Sequence, residues 1–304
     1  MSKTSTGEER PPTRIPADYH LHLFQEHETL ERETLRERLA LYAEAARRQG
    51  IGEIGISEHA HRFRQFRELM SPLFTGEGVF PFIRRWLEND FRYDLDEYVA
   101  LVSGARLPIP VRLGLEVDYL QGREEDLRRL LDPYPWDYLL GSVHFLGKWG
   151  FDIAPDLGWP DDQTAIDEWW CTYWQTWGQA AGSGLFSSMA HPDLFKKFGH
   201  RPSPGGSERV RAARFEALRR AARAGVAVEV NVAGLRKPVG EIYPSLEFLR
   251  EAKSLGLAVT LGSDAHRVED VGRDLDRALE HLRRAGYAGV TLWRQRRAIP
   301  AVWC

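Results

Sequence analysis

The stretch Asp18–Leu23, DYHLHL, sets two histidines into a short apolar run near the start of the chain. In an extended strand, alternate side chains point to the same side, so the imidazoles of His20 and His22 can both reach one metal ion. Imidazole nitrogens are among the ligands that zinc and other transition metals prefer in proteins. The stretch therefore predicts a β-strand that carries paired metal ligands at its carboxyl end.

Further short apolar runs follow along the chain, and amphipathic stretches separate them. In the first amphipathic stretch, Leu35, Leu39, Tyr42 and Ala46 recur at the spacing of a buried helix face. The predicted strands are Ala17–Leu21, Glu53–Ser57, Val111–Val117, Asp137–Val143, Leu185–Ala190, Val226–Asn231 and Ala258–Ser263. This alternation predicts an α/β fold of seven βα units around a parallel sheet, with one more strand candidate at residues 289–293.

Residues that can bind metals stand at the ends of most predicted strands. GSDAH, at residues 262–266, repeats the spacing of the first strand with Asp264 and His266. Barrel enzymes carry their active-site residues at this end of their strands. The candidate metal ligands are His20, His22, His27, His59, Glu116, His144, His191, Asp264 and His266. One histidine at a strand end is more often a hydrogen-bonded surface or core residue, but recurrence on most strands favours a shared metal site.

The second strand ends in SEHAH, where two adjacent residues compete for the role of ligand. Glu58 and His59 should point to opposite sides while the strand stays extended. His59 shares its side with Gly55 and Ser57, so we expect it to be the ligand. Glu58 is expected to face the outer helices.

The candidate set suffices for two to three divalent ions, and zinc, manganese and iron all accept such ligands. We expect one ion at His20, His22, Glu116 and Asp264, a second at Glu116, His144 and His191, and a third at His27, His59 and His266. Two metals can share a hydroxide that attacks phosphorus in line, while Asp264 or His266 protonates the leaving alkoxide. These features predict hydrolysis of a small phosphate monoester.

Basic residues in the loops after the strands are candidates for binding that phosphate. Arg236 in NVAGLRKP is the leading one, because a glycine-containing turn directly after a strand aims it at the rim. It is therefore predicted to bind substrate and to stabilise the transition state. The other candidates are Lys197, Lys196, Lys237 and Arg62.

Composition excludes several classes of protein. A net charge of -3 and a pI near 6.4 argue against a nucleic-acid partner, which needs many cations. Cys171 and Cys304 cannot form a disulfide framework, which favours a reducing cytoplasm. No apolar run approaches the roughly 20 residues of a membrane span. We expect a cytoplasmic enzyme with no membrane partner, and the sequence leaves its oligomeric state open.

One domain is predicted from residue 15 to residue 304, after a disordered polar tail at residues 1–14. Two stretches are longer than the βα plan requires. Phe63–Asn89 is aromatic and irregular, as expected for a lid or a loop that covers substrate, and Lys148–Asp162 is rich in Gly, Pro and Asp. The tryptophans at 169–177 fall at helical spacing and are predicted to pack a helix on the barrel. The arginines at 294–297 are predicted to form a solvated tail.

The motifs, taken in their order along the chain, resemble those of a known family. The chain resembles the polymerase and histidinol phosphatase (PHP) superfamily, in its monofunctional histidinol-phosphatase branch, through DYHLH, SEHAH, GLEVDY, HPDLFKKFG, NVAGLRKP and TLGSDAH. The resemblance implies a distorted seven-unit (βα) barrel of TIM type with three metals at its carboxyl face, and hydrolysis of L-histidinol phosphate in histidine biosynthesis. It gives the nine candidates their metal roles and Arg236 a phosphate-binding role. The segments Leu23–Glu28 and Phe63–Asn89 depart from the family pattern.

Two other functions remain open on the sequence. One is a PHP phosphoesterase that acts on another small phosphate, a nucleotide or a nucleic acid. The other is a metal-binding interaction module without catalysis, against which the near-complete ligand set counts.

Overall fold

The computed structural model describes residues 15–24 and 29–302. The predicted tail at residues 1–14 and the predicted ligand His27 lie outside these residues. No helix in the described ranges combines the length and the apolar character that crossing a bilayer requires.

Strands and helices alternate along the chain, as the apolar pattern predicts. The described strands are β1 (Asp18–Leu21), β2 (Ile54–Ile56), β3 (Val111–Leu113), β4 (Glu116–Asp118), β5 (Leu140–Ser142), β6 (Phe145–Leu146), β7 (Trp149–Gly150), β8 (Ser188–Met189), β9 (Ala227–Asn231), β10 (Val259–Gly262), β11 (Gly289–Arg294) and β12 (Arg297–Val302). The described α-helices are α1 (Arg32–Arg48), α2 (Arg67–Met70), α3 (Pro81–Glu88), α4 (Leu95–Ser103), α5 (Glu124–Leu131), α6 (Gln163–Gly182), α7 (Ser207–Ala224), α8 (Leu246–Ser254) and α9 (Leu275–Arg284).

Two parallel sheets form the centre of the fold. One has the order β1-β2-β3 and the other the order β10-β9-β8-β5-β4. A parallel bridge between Leu21 and Ala265 joins β1 to the end of β10, and a bridge between His59 and Glu116 joins the end of β2 to β4. Since β3 and β4 are the two halves of one predicted strand, the order of the parallel strands is cyclic. The fold is therefore the distorted seven-unit barrel that the sequence predicts.

The division of the predicted strand Val111–Val117 occurs next to a close contact in the barrel interior. The ring of Tyr138 lies over Gly55 and Gly114, and a Cβ atom on Gly114 would overlap the Cζ atom of this ring. Only glycine leaves room for the ring at these positions. The Tyr138 hydroxyl donates to the main-chain oxygen of Tyr19 at 2.6 Å, which ties β1 to the segment before β5.

The tryptophan-rich helix α6 packs as predicted. Trp170, Trp174 and Trp177 are buried, and the rings of Trp174 and Trp177 contact Phe248 of α8. A Cβ atom on Gly178 would lie 3.0 Å from the Cα atom of Ala217 in α7, so α6 and α7 pack closely at this glycine. The aromatic pattern of this segment therefore serves the core.

The C-terminal strands β11 and β12 form an antiparallel hairpin. Trp293 belongs to a buried cluster with Tyr19 and Tyr138, and its main-chain N–H donates to the Tyr19 hydroxyl at 3.0 Å. The hairpin thus covers the amino ends of the strands. Arg294 forms an ion pair with the buried Glu53, and the Arg296 guanidinium donates to the main-chain oxygen of Leu185. The prediction of a solvated tail is therefore wrong for these two arginines, whereas Arg297 is exposed.

The two long segments lie beside each other at the opposite end of the barrel. Residues 63–89 contain α2, α3 and short 3-10 turns, and residues 148–162 follow β6. The Lys148 amine donates to the main-chain oxygens of Thr75 and Glu77 at 3.1 and 2.7 Å, which connects the segments. Together they build a wall above the carboxyl ends of the strands.

Candidate metal centre

The carboxyl ends of the barrel strands gather every predicted metal ligand that the structure describes. Groups of three whose donor atoms all lie within 4.8 Å of one another occur four times in the described residues. These groups are His20–His22–Glu116, Glu116–His144–His191, His22–His59–His266 and His20–His191–Asp264. Such clusters of imidazole and carboxylate can hold metal ions.

Glu116, at the start of β4, is the hub of the cluster. Its Oε2 atom lies 2.7 Å from His59 Nδ1 and 3.3 Å from His20 Nε2. Its Oε1 atom lies 2.9 Å from His191 Nε2 and 3.4 Å from His144 Nε2. Burial by itself would raise the pKa of this carboxyl, but the surrounding histidines hold the pKa well below its ordinary value. A buried carboxylate with imidazole nitrogens near both of its oxygens is suited to bridge two cations.

The ligand groups resemble the expected ones with two differences. The first two expected groups recur around Glu116, but Asp264 is grouped with His20 and His191. In the third group His22 stands with His59 and His266, where the sequence interpretation had His27.

Several donor atoms of the cluster have no partner within the described residues. The Nε2 atom of His20, both ring nitrogens of His22, Nδ1 of His59 and Oε2 of Glu116 are buried without a hydrogen bond. Buried polar atoms without partners are costly, so such a concentration of them needs an explanation. Divalent cations would engage these same atoms. The donor set therefore fits the metals that the sequence predicts.

Two of the candidate metal ligands, His191 and Asp264, have left-handed backbone conformations. The φ angle is 27° at His191 and 55° at Asp264. Such conformations are costly for residues other than glycine and concentrate at functional sites. Glu229 accepts the main-chain N–H of His191 at 2.8 Å, and Asn231 Nδ2 lies 3.3 Å from Asp264 Oδ2. Both supporting residues come from β9.

Sequence reasoning missed the carboxylates that orient the histidines. Glu229 Oε1 lies 2.7 Å from His20 Nδ1, and Asp118 Oδ1 lies 2.8 Å from His144 Nδ1. Such contacts fix which ring nitrogen faces a metal. Asp118 shares strand parity with Glu116, and Glu229 is a charged residue inside the apolar run AVEVN, so both signals were present in the sequence.

His59 lines the cluster as predicted, but Glu58 does not face the outer helices. It is fully buried, accepts the main-chain N–H groups of Leu23 and Phe24, and lies 3.7 Å from His22 Nδ1. The expectation failed because β2 ends at Ile56, so Glu58 lies in the loop that follows the strand, where strand parity does not decide the direction of a side chain.

A cavity of about 280 Å³ opens over the cluster. Its floor includes Glu116, His191 and Asp264, and Phe82 and Trp86 of α3 form part of its wall. The prediction that the segment Phe63–Asn89 lies over the site is thus supported by contacts of this helix. The other long segment contributes Asp152 and Ile153, and the loops after β8 and β9 contribute Lys197 and Lys237.

The predicted phosphate-binding cations occupy different positions. Lys197 lines the cavity, whereas Arg236 lies beside it and donates to the main-chain oxygen of Ser263 at 2.7 Å. Its Nη1 atom is buried without a partner in the described residues. Lys196 and Arg62 do not line the cavity. Lys196 is buried against Asp193 and Glu241, and Arg62 is buried against Asp90.

His61 is a cavity residue that the sequence interpretation left aside. It is buried, its ring stacks on His59 at a centroid distance of 4.7 Å, and Nε2 lies 3.3 Å from Asp90 Oδ2. The His61 ring also makes an edge contact with Trp86, so His61 connects the metal-ligand cluster to the cavity wall.

The two predicted proton donors have shifted pKa values in the metal-free protein. Burial, together with the neighbouring His22, lowers the pKa of His266 to about 4. Burial alone would raise the pKa of Asp264, but His20 and His22 hold it well below its ordinary value. Near neutral pH, His266 is therefore neutral and Asp264 is ionised.

The fold and the site define a TIM-like barrel with clusters of histidines and carboxylates that can hold metal ions at the carboxyl ends of its strands. The PHP domain model matches residues 20–233, and the chain belongs to the PHP family.

Relatives extend this assignment. The chain is 37% identical over 235 residues to a probable histidinol-phosphatase of Deinococcus radiodurans, covering 75% of this chain and 86% of that protein. It is 29% identical over 269 residues to the histidinol-phosphatase of Bacillus subtilis, covering 82% of this chain and 92% of the other. A crystal structure of the Lactococcus lactis histidinol phosphate phosphatase, complexed with zinc, L-histidinol and phosphate, superposes with a TM-score of 0.69 at 20% identity, covering 93% of this chain and 98% of that one. At this identity the structural match supports the fold alone.

Proposed function

We propose that the protein is a metal-dependent phosphatase that hydrolyses L-histidinol phosphate. The observation that carries the proposal is the buried cluster around Glu116, whose unpartnered donor atoms meet a small cavity. The Deinococcus and Bacillus relatives are named as histidinol-phosphatases, and the Lactococcus enzyme binds zinc, L-histidinol and phosphate.

The ligand groups support the following division of metal roles. Glu116 would bridge the ion held with His20 and His22 and the ion held with His144 and His191. A further ion would be held by His22, His59 and His266, and Asp264 would complete the site with His20 and His191. Bound zinc, manganese or iron supplies positive charge that polarises a phosphoryl group and acidifies an attacking water.

Cations of the chain complement that charge. Lys237 lines the cavity and forms no ion pair within the described residues, so its amine is free to bind a phosphate oxygen. Arg236 carries a buried guanidinium nitrogen that has no partner among the described residues, and it donates to the main-chain oxygen of Ser263, the residue before Asp264. We assign Lys237 and Arg236 to substrate phosphate and to the charge that develops on it.

The wall formed by the long segments limits the space that is available to the substrate. Trp86 and Ile153 present apolar surface above the charged floor. A cavity of about 280 Å³ fits a small ester. These features favour an amino-alcohol phosphate over a nucleic-acid strand.

The proposal is tested by phosphate release from the purified, metal-analysed protein. L-histidinol phosphate, sugar phosphates and nucleoside monophosphates are compared at equal concentration. We expect L-histidinol phosphate to be hydrolysed far faster than the others. Comparable rates on all three classes would leave only a general phosphoesterase, and release from none of them would contradict the proposed function.

A further inference from the structure

Three carboxylates line the cavity within the described residues: Glu116, Asp264 and Asp152. Glu116 and Asp264 belong to the metal-ligand groups, and Asp152 belongs to none of them. No phosphate-binding role suits Asp152, because a carboxylate repels a phosphate. The cavity thus contains one acidic side chain that the proposed hydrolysis does not explain.

Asp152 is firmly held. It follows β7, next to the fully buried Phe151, and Trp159 Nε1 donates to the main-chain oxygen of Phe151 at 3.0 Å. Lys197 Nζ donates to the main-chain oxygen of Asp152 at 2.5 Å and to its Oδ2 atom at 3.2 Å. A binding residue anchored in this way loses little conformational freedom when a ligand arrives.

One oxygen of this carboxylate remains available. Oδ1 accepts no hydrogen bond from the described part of the chain, whereas Oδ2 is used by Lys197. The side chain is 16% exposed, and it lines the cavity. Burial would raise the pKa of Asp152, but Lys197 and His144 lower it, so the group is anionic near neutral pH.

We propose that Asp152 determines specificity by binding a protonated primary amine of the substrate through Oδ1, so that the site selects phosphate esters that carry an ammonium group. The inference rests on the proposed function, since L-histidinol phosphate has such an amine a few bonds from its phosphate. Phosphate and ammonium would then bind to opposite charges within one cavity, with Lys237 at one group and Asp152 at the other. Trp86 and Phe82 would cover the rest of the ligand.

The experiment compares two esters on the metal-loaded enzyme. One is L-histidinol phosphate, and the other is its desamino analogue, 3-(imidazol-4-yl)propyl phosphate. We expect wild type to favour the amine-bearing ester in kcat/KM. Asp152→Asn should lower kcat/KM for that ester by about 10–100-fold, the usual effect of losing a hydrogen bond to a charged group, and leave the desamino ester unchanged. Metal content and melting temperature should match those of wild type.

Matched controls separate the alternatives. Asp156→Asn changes an exposed acid of the same segment and should leave both esters unaffected. If Asp152 serves only to position Lys197 for phosphate, Asp152→Asn and Lys197→Met will impair both esters equally, which overturns the inference. An Asp152→Asn variant with wild-type values overturns it as well.

Wild type alone provides a further test that does not depend on folding of a variant. L-histidinol should inhibit more strongly than 3-(imidazol-4-yl)propanol, and equal inhibition would overturn the inference. Equal hydrolysis of both esters by wild type would also overturn it, while leaving the phosphatase proposal intact. Hydrolysis of neither would contradict the proposed function itself, and the inference with it.

Discussion

Two buried glutamates, Glu53 and Glu116, lie at opposite ends of the same barrel and have opposite surroundings. Glu53 receives hydrogen bonds from Arg112, Arg294 and Tyr19, so permanent cations of the chain balance its charge. Glu116 meets only histidines, and its Oε2 atom has no hydrogen bond in the described residues.

The difference separates a structural cluster from a functional one. Around Glu53 every charge has a partner, and the contact fastens the C-terminal hairpin to the barrel. In the described residues Glu116 forms no ion pair with a lysine or an arginine, and its neighbours are histidines. Buried charge is stable only when it is paired or binds metal, and imidazoles can bind metal where lysine and arginine cannot, so the second cluster is suited to ions from solution.

The largest expected effect follows from removing the bridging charge. Glu116→Gln should lower kcat for L-histidinol phosphate by at least about 10³-fold, because several kcal/mol of transition-state stabilisation depend on the metals it holds. Elemental analysis should show metal loss, while the melting temperature of the metal-free protein stays close to that of metal-free wild type. Full metal content together with full activity would show that Glu116 neither holds the metals nor supports hydrolysis.

Glu53→Gln should show the reverse pattern. It should lower the free energy of unfolding by about 3 kcal/mol, the low end for a buried pair, because both arginines remain partly exposed. Denaturant unfolding measures this change. Metal content and kcat should not change, and a loss of metal would show that the two ends of the barrel are not independent.

Glu229→Gln should weaken metal binding without removing a ligand. Losing the carboxylate behind His20 should lower metal affinity by about 10–100-fold, as measured by chelator competition. The matched control is Glu241→Gln, which changes a carboxylate paired with Arg201 outside the cluster. Equal affinities for Glu229→Gln and wild type would show that the contact does not position His20.

Lys237→Met should raise KM for the phosphate ester by about tenfold, because it removes a charge-assisted hydrogen bond to the phosphate that is weakened by solvent exposure of the amine. Lys253→Met, on α8 beside Tyr287, is the control. A fall in kcat with unchanged KM would assign Lys237 to the transition state alone.

The smallest effect concerns pH. Burial would raise the pKa of Glu53, but Arg294, Tyr19 and Arg112 lower it below the ordinary value of 4.5. A lowered pKa stabilises the fold above the unfolded-state value, and this stability is lost as the pH falls through the folded-state pKa. The stability difference between wild type and Glu53→Gln should therefore be constant at neutral pH and shrink below about pH 4.5. A difference that persists at low pH would contradict the ionic role of Glu53.

Residue spacing brought the described candidate ligands together because each of them stands in a parallel strand or just beyond the end of one. His20 and His22 follow the alternation of β1, and Asp264 and His266 follow β10 at the same spacing. Beyond the end of a strand, the alternation of side chains no longer predicts which way a residue points. Glu58 follows Ser57 and so lies two residues beyond the end of β2. Its carboxylate accepts a main-chain N–H group of the loop after β1.

Long-range pairing could not be predicted from local pattern. Arg294 reads as part of a basic surface tail, but its partner Glu53 is 241 residues away along the chain. Arg62 and Lys196 likewise follow strands that end at the site. Arg62 forms an ion pair with Asp90 and Lys196 forms one with Glu241, so both lie beside the cavity. Charges whose partners lie on distant segments are visible only in the folded chain.

The most direct test of the account is phosphate release from L-histidinol phosphate before and after the metals are removed by a chelator. We predict that the chelated protein stays folded and loses release, and that adding back zinc, manganese or iron restores it with about two to three ions bound per chain. A chelated protein that contains no metal and still releases phosphate at the full rate would contradict the central claim.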